Sequence, residues 1–295
     1  MDRGELNLMQ VMGLLELRLR TTEPMVLPRA VAPVLHGAIH RLLEGFDPAY
    51  GRQIHGRQLK PLSISPPRLC QAPDRELGGA SLMPGALLAV RIGVLEASLL
   101  GILLAELLAH RQTAAPLSLD GRGAVVEEVR LIGGPISYHR FARLARPISE
   151  LRFQFVTPTI VRRKREDKPI TGGPEPRLLF GGYPRRWRAF APADLALTVT
   201  EESIAANIAL VAGQCVPHRV DLGKFRQHGF TGWARYRIDG DDRFRAEIAT
   251  LAAYSAYCGT GARTAYGMGQ TIVHSLQPPG GDVPNPLAER ASDPC

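Results

Sequence analysis

Apolar residues in this chain recur at a period of two in some segments and of about 3.6 in others, and the order of those segments narrows the fold. Residues 10–21 end in Leu15-Glu-Leu-Arg-Leu-Arg20, an alternation of leucine and charge that predicts a strand with one wet face. Leu27-Pro28 then opens a helix, since proline is tolerated at the first helical position. Val31, Val34, Leu35, Ala38, Ile39, Leu42 and Leu43 continue it at helical spacing. Asp47-Pro48 starts a second short helix that ends near His55-Gly56, and Lys60-Pro-Leu-Ser-Ile-Ser65 alternates as a strand. A proline- and glycine-rich connection over residues 66–85 leads to a strand at 87–94, a buried helix at 97–110 and a strand at 125–131. The order β-α-β-β-α-β is that of a ferredoxin-like domain.

The second half repeats this order. Leu151-Arg-Phe-Gln-Phe-Val156 alternates as a strand and runs into Thr157-Pro158. Residues 184–190 and 203–212 are helical candidates, 216–222 and 230–238 strands, 244–257 a helix and 268–274 a last strand. The reading is therefore an α+β chain of two tandem ferredoxin-like domains. They cover residues 1–143 and 144–276, and a Pro/Gly/Asp-rich disordered tail follows over 277–295. No sequence repeat links the halves, so the symmetry is one of element order.

Hydrophobic residues make up 45% of the chain and charged residues 22%, the balance of a globular protein and not of a disordered one. The apolar run at 98–109 carries Glu106 and is shorter than the roughly 20 residues a membrane span needs, so no membrane partner is expected. Met1-Asp-Arg-Gly-Glu5 has no signal-peptide pattern. Cys70, Cys215, Cys258 and Cys295 lie far apart with no CxxC pair, which argues for a reduced, cytoplasmic protein without a zinc site. A net charge of +8 suits a polyanionic partner through Lys/Arg–phosphate contacts, and equally a basic solubility surface.

Glycines gather in Cys258-Gly-Thr-Gly-Ala-Arg-Thr-Ala-Tyr-Gly-Met-Gly-Gln270, after one helix and before a strand. Gly259, Gly261, Gly267 and Gly269 allow positive φ or close backbone approach, and outward N–H groups form an anion-binding nest. Arg263 and Thr264 add a charge and a hydroxyl at the apex, a set suited to a phosphodiester backbone. A dinucleotide loop precedes its helix, and no GK[ST] follows here, so neither nucleotide-binding loop fits. A plain helix–strand connection would also use glycines to turn.

The wider context is more specific. Gly229-Phe-Thr-Gly-Trp-Ala-Arg-Tyr-Arg237, the helix end Ala253-Tyr-Ser-Ala-Tyr-Cys258 and the glycine-rich loop together resemble the C-terminal motif of the CRISPR-associated Cas-six endoribonucleases of the RAMP superfamily. That resemblance implies two ferredoxin-like domains and metal-independent cutting of the repeat in CRISPR precursor RNA, without a cofactor. The implied partner is CRISPR repeat RNA, as precursor and as crRNA. CRISPR effector-complex subunits and a second copy of the chain are further candidate partners.

Cutting RNA this way requires a group to take the 2′-OH proton, one to protonate the leaving 5′-oxygen, and a positive charge for the phosphate. Histidine suits the first two roles and lysine or arginine the third. His36 and His40 stand four apart and share a helix face, His55 ends the next helix, and Lys60 opens the following strand, flanked by Arg52 and Arg57. The arrangement also resembles the family's N-terminal region, which implies catalysis at the position of His55, assistance at His40 and a lysine near Lys60, the last with variable spacing. His55 could instead interact with the last carbonyls of its helix, His40 could line the polar side of its helix, and Lys60 could be a solvated strand-start lysine. His36 has no family counterpart and reads as neutral to function.

Two basic runs complete the candidate RNA contacts: Arg162, Arg163, Lys164 and Arg165 in a connection, and Arg185, Arg186 and Arg188 around Trp187. Solvated loops would look the same. Two rival functions stay open. One is a non-catalytic RAMP subunit that binds RNA in an effector complex. The other is a metal-dependent hydrolase using His36 and His40, which lacks the glutamate of HExxH.

Overall fold

The computed structural model describes residues 10–28, 31–72, 77–161, 169–221 and 226–276. Arg162, Arg163, Lys164 and Arg165, and the expected tail at 277–295, lie outside the described residues. The chain divides into two compact units. One holds Met12–Pro135 with Ala265–Gly267, and the other holds Ile136–Thr264 with residues 268–276 and the first described residues.

The N-terminal unit contains β1 (Val11–Thr21), β2 (Met25–Val26), α1 (Ala32–Phe46), α2 (Pro48–Gly56), β3 (Leu62–Ile64), β4 (Arg68–Leu69), β5 (Ser81–Leu82), β6 (Leu87–Val94), α3 (Ala97–Thr113), β7 (Leu117–Leu119) and most of β8 (Arg122–Ser137). Its main sheet runs β3-β6-β1-β8-β7, with β4 also paired to β6, and β2 pairs with β5 apart from it. The four long-range strands thus stand in the ferredoxin-like order, antiparallel, with β1 against β6 from Gly13↔Val94 to Arg20↔Leu87. The alternation in β1 resolves as predicted. Leu17 and Leu19 are buried, while Glu16, Arg18 and Arg20 on the other face meet Arg91, Glu128 and Glu127 at 3.2, 3.3 and 2.8 Å.

The second unit contains α4 (Tyr138–Leu144), β9 (Glu150–Thr159), α5 (Pro176–Phe180), α6 (Gly182–Phe190), α7 (Glu201–Asn207), β10 (Ile208–Asp221), β11 (Arg226–Ile238), α8 (Asp242–Cys258) and β12 (Thr271–Ser275). Its sheet order, β10-β11-β9-β12, is the same ferredoxin-like order. Leu151, Phe153 and Phe155 of β9 and Ala234, Tyr236 and Ile238 of β11 point into the core. On the helices Tyr138, Trp187 and Tyr254 meet edge-on or tilted, with ring centroids 5.2–6.1 Å apart, a geometry aromatic pairs favour.

Three local expectations are corrected. The first helix starts at Ala32, not Pro28, and it is Pro33 that occupies the first turn. Helix at 203–212 stops at Asn207, because from Ile208 the backbone pairs with β11, Ile208 against Ile238, and cross-strand burial overrides local propensity. The final strand begins at Thr271 and not Met268, since the chain up to Gly269 is still folding the loop.

Candidate active site

α1 carries His36, His40 and Glu44 one turn apart, so all three share one edge of the helix. Asp47 ends α1 and caps α2, its carboxylate accepting hydrogen bonds from the N–H groups of Ala49 and Tyr50 at 2.8 and 3.3 Å. This corner folds α2 back against α1. The close approach depends on Gly51, where a Cβ would stand 2.6 Å from Glu44 Cγ and 2.9 Å from the Glu44 backbone nitrogen. His55, in the last turn of α2, is thereby carried to His40.

The ring centroids of His40 and His55 are 4.4 Å apart and edge-on. His36 completes a triangle at 6.0 Å from His55 and 6.3 Å from His40. These three line a small pocket with Ile39, Leu43, Ile54, Lys60 and Leu62. Tyr266, grouped with this unit, lies over the His36 ring at 4.2 Å. Lys60 donates from Nζ to the carbonyls of Ile54 and His55, the end of α2, where a cation complements the helix dipole. His40 Nδ1 is 3.4 Å from Glu44 Oε1. Nε2 of His36 and Nε2 of His40 are buried and make no hydrogen bond among the described residues.

Burial, then the nearby charges of His55, His40 and Lys60, push the His36 pKa down to about 4, against a backbone hydrogen bond with Ala265. His36 is therefore neutral at pH 7. His55 is also lowered, by desolvation first and then by His40 and Lys60, with Glu44 opposing. Sequence reasoning brought together His40, His55 and Lys60 and missed that His36 shares their pocket. The signal was present as the four-residue spacing to His40. Tyr266 carried no such signal. Among the described residues, no group of three or more His, Cys, Asp or Glu is arranged to hold a metal ion.

The glycine-rich loop forms a second candidate site. Gly259, Gly261, Gly267 and Gly269 all have positive φ, between 68° and 81°, and so does Arg263, at 61°. Much of the loop's hydrogen bonding is internal to its own unit. Thr260 N–H donates to Gly269 O at 2.8 Å, Ala262 N–H to Ile160 O at 2.8 Å and Gly269 N–H to Pro158 O at 3.1 Å. Gly269 has no alternative, since a Cβ there would overlap the Thr260 carbonyl. Beneath the loop, Thr260 Oγ1 meets Tyr183 OH at 2.8 Å and accepts from Thr271 Oγ1 at 2.7 Å.

Arg186 is half-buried against the same loop and donates to Cys258 O, Gly259 O, Gly261 O and Thr264 Oγ1 at 2.7, 3.0, 2.9 and 3.2 Å. Thr264, expected at the apex, is buried, its hydroxyl taken up by that arginine. Arg185 and Arg188 are exposed on α6, and Arg263 is half-buried.

Comparison with known proteins gives this geometry its relatives. Residues 153–271 match the family model for CRISPR-associated endoribonuclease Cas6. Curated proteins of that description from two strains of Mycobacterium tuberculosis are 29% identical over 173 residues, 58% of this chain and 54% of theirs. The chain thus spans about half the length of the curated relatives it matches. Among solved structures, a product complex of Thermus thermophilus Cas6 aligns with a TM-score of 0.70 at 25% identity, covering 90% of this chain and 99% of that one. A further Cas6 product complex aligns at 0.67 and 25%, covering 90% and 100%. The resemblance read from residues 229–269 therefore holds: residues 153–271 are similar to the CRISPR-associated endoribonuclease Cas6 family, and the chain has the tandem ferredoxin-like fold seen in the solved Cas6 proteins it aligns with.

Proposed function

We propose that this chain binds CRISPR repeat RNA and cleaves precursor crRNA as a metal-independent endoribonuclease, with His40, His55 and Lys60 at the cut. The observation that carries the reading is the edge-on contact of His40 and His55 at 4.4 Å, in one pocket with Lys60. One histidine takes the proton of the ribose 2′-OH as its oxygen attacks the phosphorus. The other gives a proton to the departing 5′-oxygen, so the P–O2′ bond forms as the P–O5′ bond breaks. The products are a 2′,3′-cyclic phosphate and a 5′-hydroxyl.

His55, whose pKa is lowered, suits the group that starts neutral. His40, with Glu44 beside Nδ1, is then assigned the other role. Lys60, held at the end of α2, keeps a positive charge beside them for the phosphate. His36, neutral at pH 7, packs beside the pair and is not the acid. The glycine-rich loop, with Arg263 and the exposed Arg185 and Arg188, holds the RNA backbone.

The test is cleavage of the cognate repeat RNA in EDTA, with end-group analysis, for the wild-type chain and for His55→Ala and His40→Ala. Expected are EDTA-resistant cleavage, cyclic-phosphate ends, and single-turnover rates about 10²–10⁴-fold lower in each variant. Cleavage that stops in EDTA and returns with a divalent ion overturns the metal-independent reading. Wild-type rates in both variants remove the histidines from it.

A further inference from the structure

We infer that Arg186 is a positioning residue that shapes the RNA-binding loop from within the protein and does not itself hold a phosphate; the inference rests on the proposed role of that loop. α8 ends at Cys258, and the last carbonyls of a helix have no partner inside it. The Arg186 fork covers that end. One nitrogen takes the carbonyls of Cys258 and Gly259, and the other takes Gly261 O and Thr264 Oγ1, so one rigid planar group spans seven residues of the turn.

Arg186 is held in place in turn. Its neighbours on α6, Tyr183 and Trp187, are 1% and 2% exposed. Tyr183 extends the same support through its hydroxyl contact with Thr260 at 2.8 Å. A guanidinium committed to four acceptors of its own chain cannot offer the same fork to a phosphate. Its positive charge also matches the negative end of α8. Arg186 therefore decides which way the backbone of residues 259–264 faces, and phosphate contact is left to groups the loop presents outward. A lysine has the charge but only a point donor, so it cannot bridge carbonyls three residues apart.

The experiment compares Arg186→Lys and Arg186→Ala with the wild-type chain by three measurements: amide hydrogen exchange of residues 259–269 without RNA, affinity for the cognate repeat RNA across salt concentrations, and single-turnover cleavage at saturating RNA. Both variants are expected to exchange faster within the loop and to bind RNA about 10-fold or more weakly. Cleavage at saturating RNA should stay within a few-fold, and lysine should rescue neither defect. A loop as protected as wild type, with weaker binding and a salt slope smaller by about one contact, makes Arg186 a direct phosphate ligand and overturns the inference. Lysine rescue of binding overturns it as well, and so does global unfolding of Arg186→Lys, since the role assigned is local. If the wild-type chain neither binds nor cuts the RNA, the functional reading fails instead, while the exchange result still decides what Arg186 does to the loop.

Discussion

His36 shows how a single half-buried ring ties stability to pH. Its pKa lies near 4, well below the 6.5 of an unstrained histidine, so the fold favours its neutral form. The stabilisation is fully present above about pH 6.5 and is lost as pH falls toward 4, because the unfolded chain then binds the extra proton. Urea unfolding should show stability falling over that window by on the order of 2–3 kcal/mol from this group, and His36→Asn should flatten the slope. An unchanged slope in the variant would assign the acid sensitivity to other groups. His55 is shifted in the same direction, so the acid limb of kcat/KM should turn below the ordinary histidine pKa. A wild-type pH–rate profile checks this, and a limb at or above pH 6.5 speaks against His55 as the group that starts neutral.

At the scale of elements, two glycines set the geometry. Gly51 lets α2 lie on α1 closely enough for His55 to reach His40. Gly51→Leu should force the helices apart, lower the thermal midpoint in proportion to about 1–3 kcal/mol, and depress the single-turnover rate more than RNA affinity. Equal loss of rate and affinity would mean general damage. Gly269, at φ 68° against the Thr260 carbonyl, closes the loop. Gly269→Ala should cost about 1–3 kcal/mol of backbone strain, add the displacement that the Thr260 carbonyl must make, and weaken RNA binding while leaving the α1–α2 pocket intact. Gel-shift titration and a melting curve together separate those effects, and wild-type affinity would remove the loop's closed shape from RNA binding.

For the molecule as a whole, the net charge of +8 now has basic side chains with known placement. Arg185 and Arg188 are exposed, whereas Arg18, Arg20, Arg91 and Arg130 are engaged with carboxylates of the N-terminal sheet. The usable charge is thus smaller than the count of 36 Lys and Arg implies. Repeat-RNA affinity should fall linearly in log–log with salt, at a slope of about −0.7 per phosphate contacted. A flat dependence would exclude the basic surface as the source of affinity. No helix among the described residues is long and apolar enough to cross a membrane.

The sequence by itself determined the two βαββαβ orders, because strand and helix periods are local and each is read within about ten residues. It also placed His40, His55 and Lys60 correctly on or beside their elements, since capping at Asp47-Pro48 and the four-residue helical repeat are local too. Tertiary structure alone decided what is not local. It ended α7 at Asn207 by pairing Ile208 with Ile238, brought His36 into the pocket of His40 and His55 with Tyr266 against its ring, and turned Thr264 and Arg186 inward to hold a loop whose glycines had suggested only an outward cradle. Each of those outcomes depends on contacts between residues tens to hundreds of positions apart, which no periodicity records.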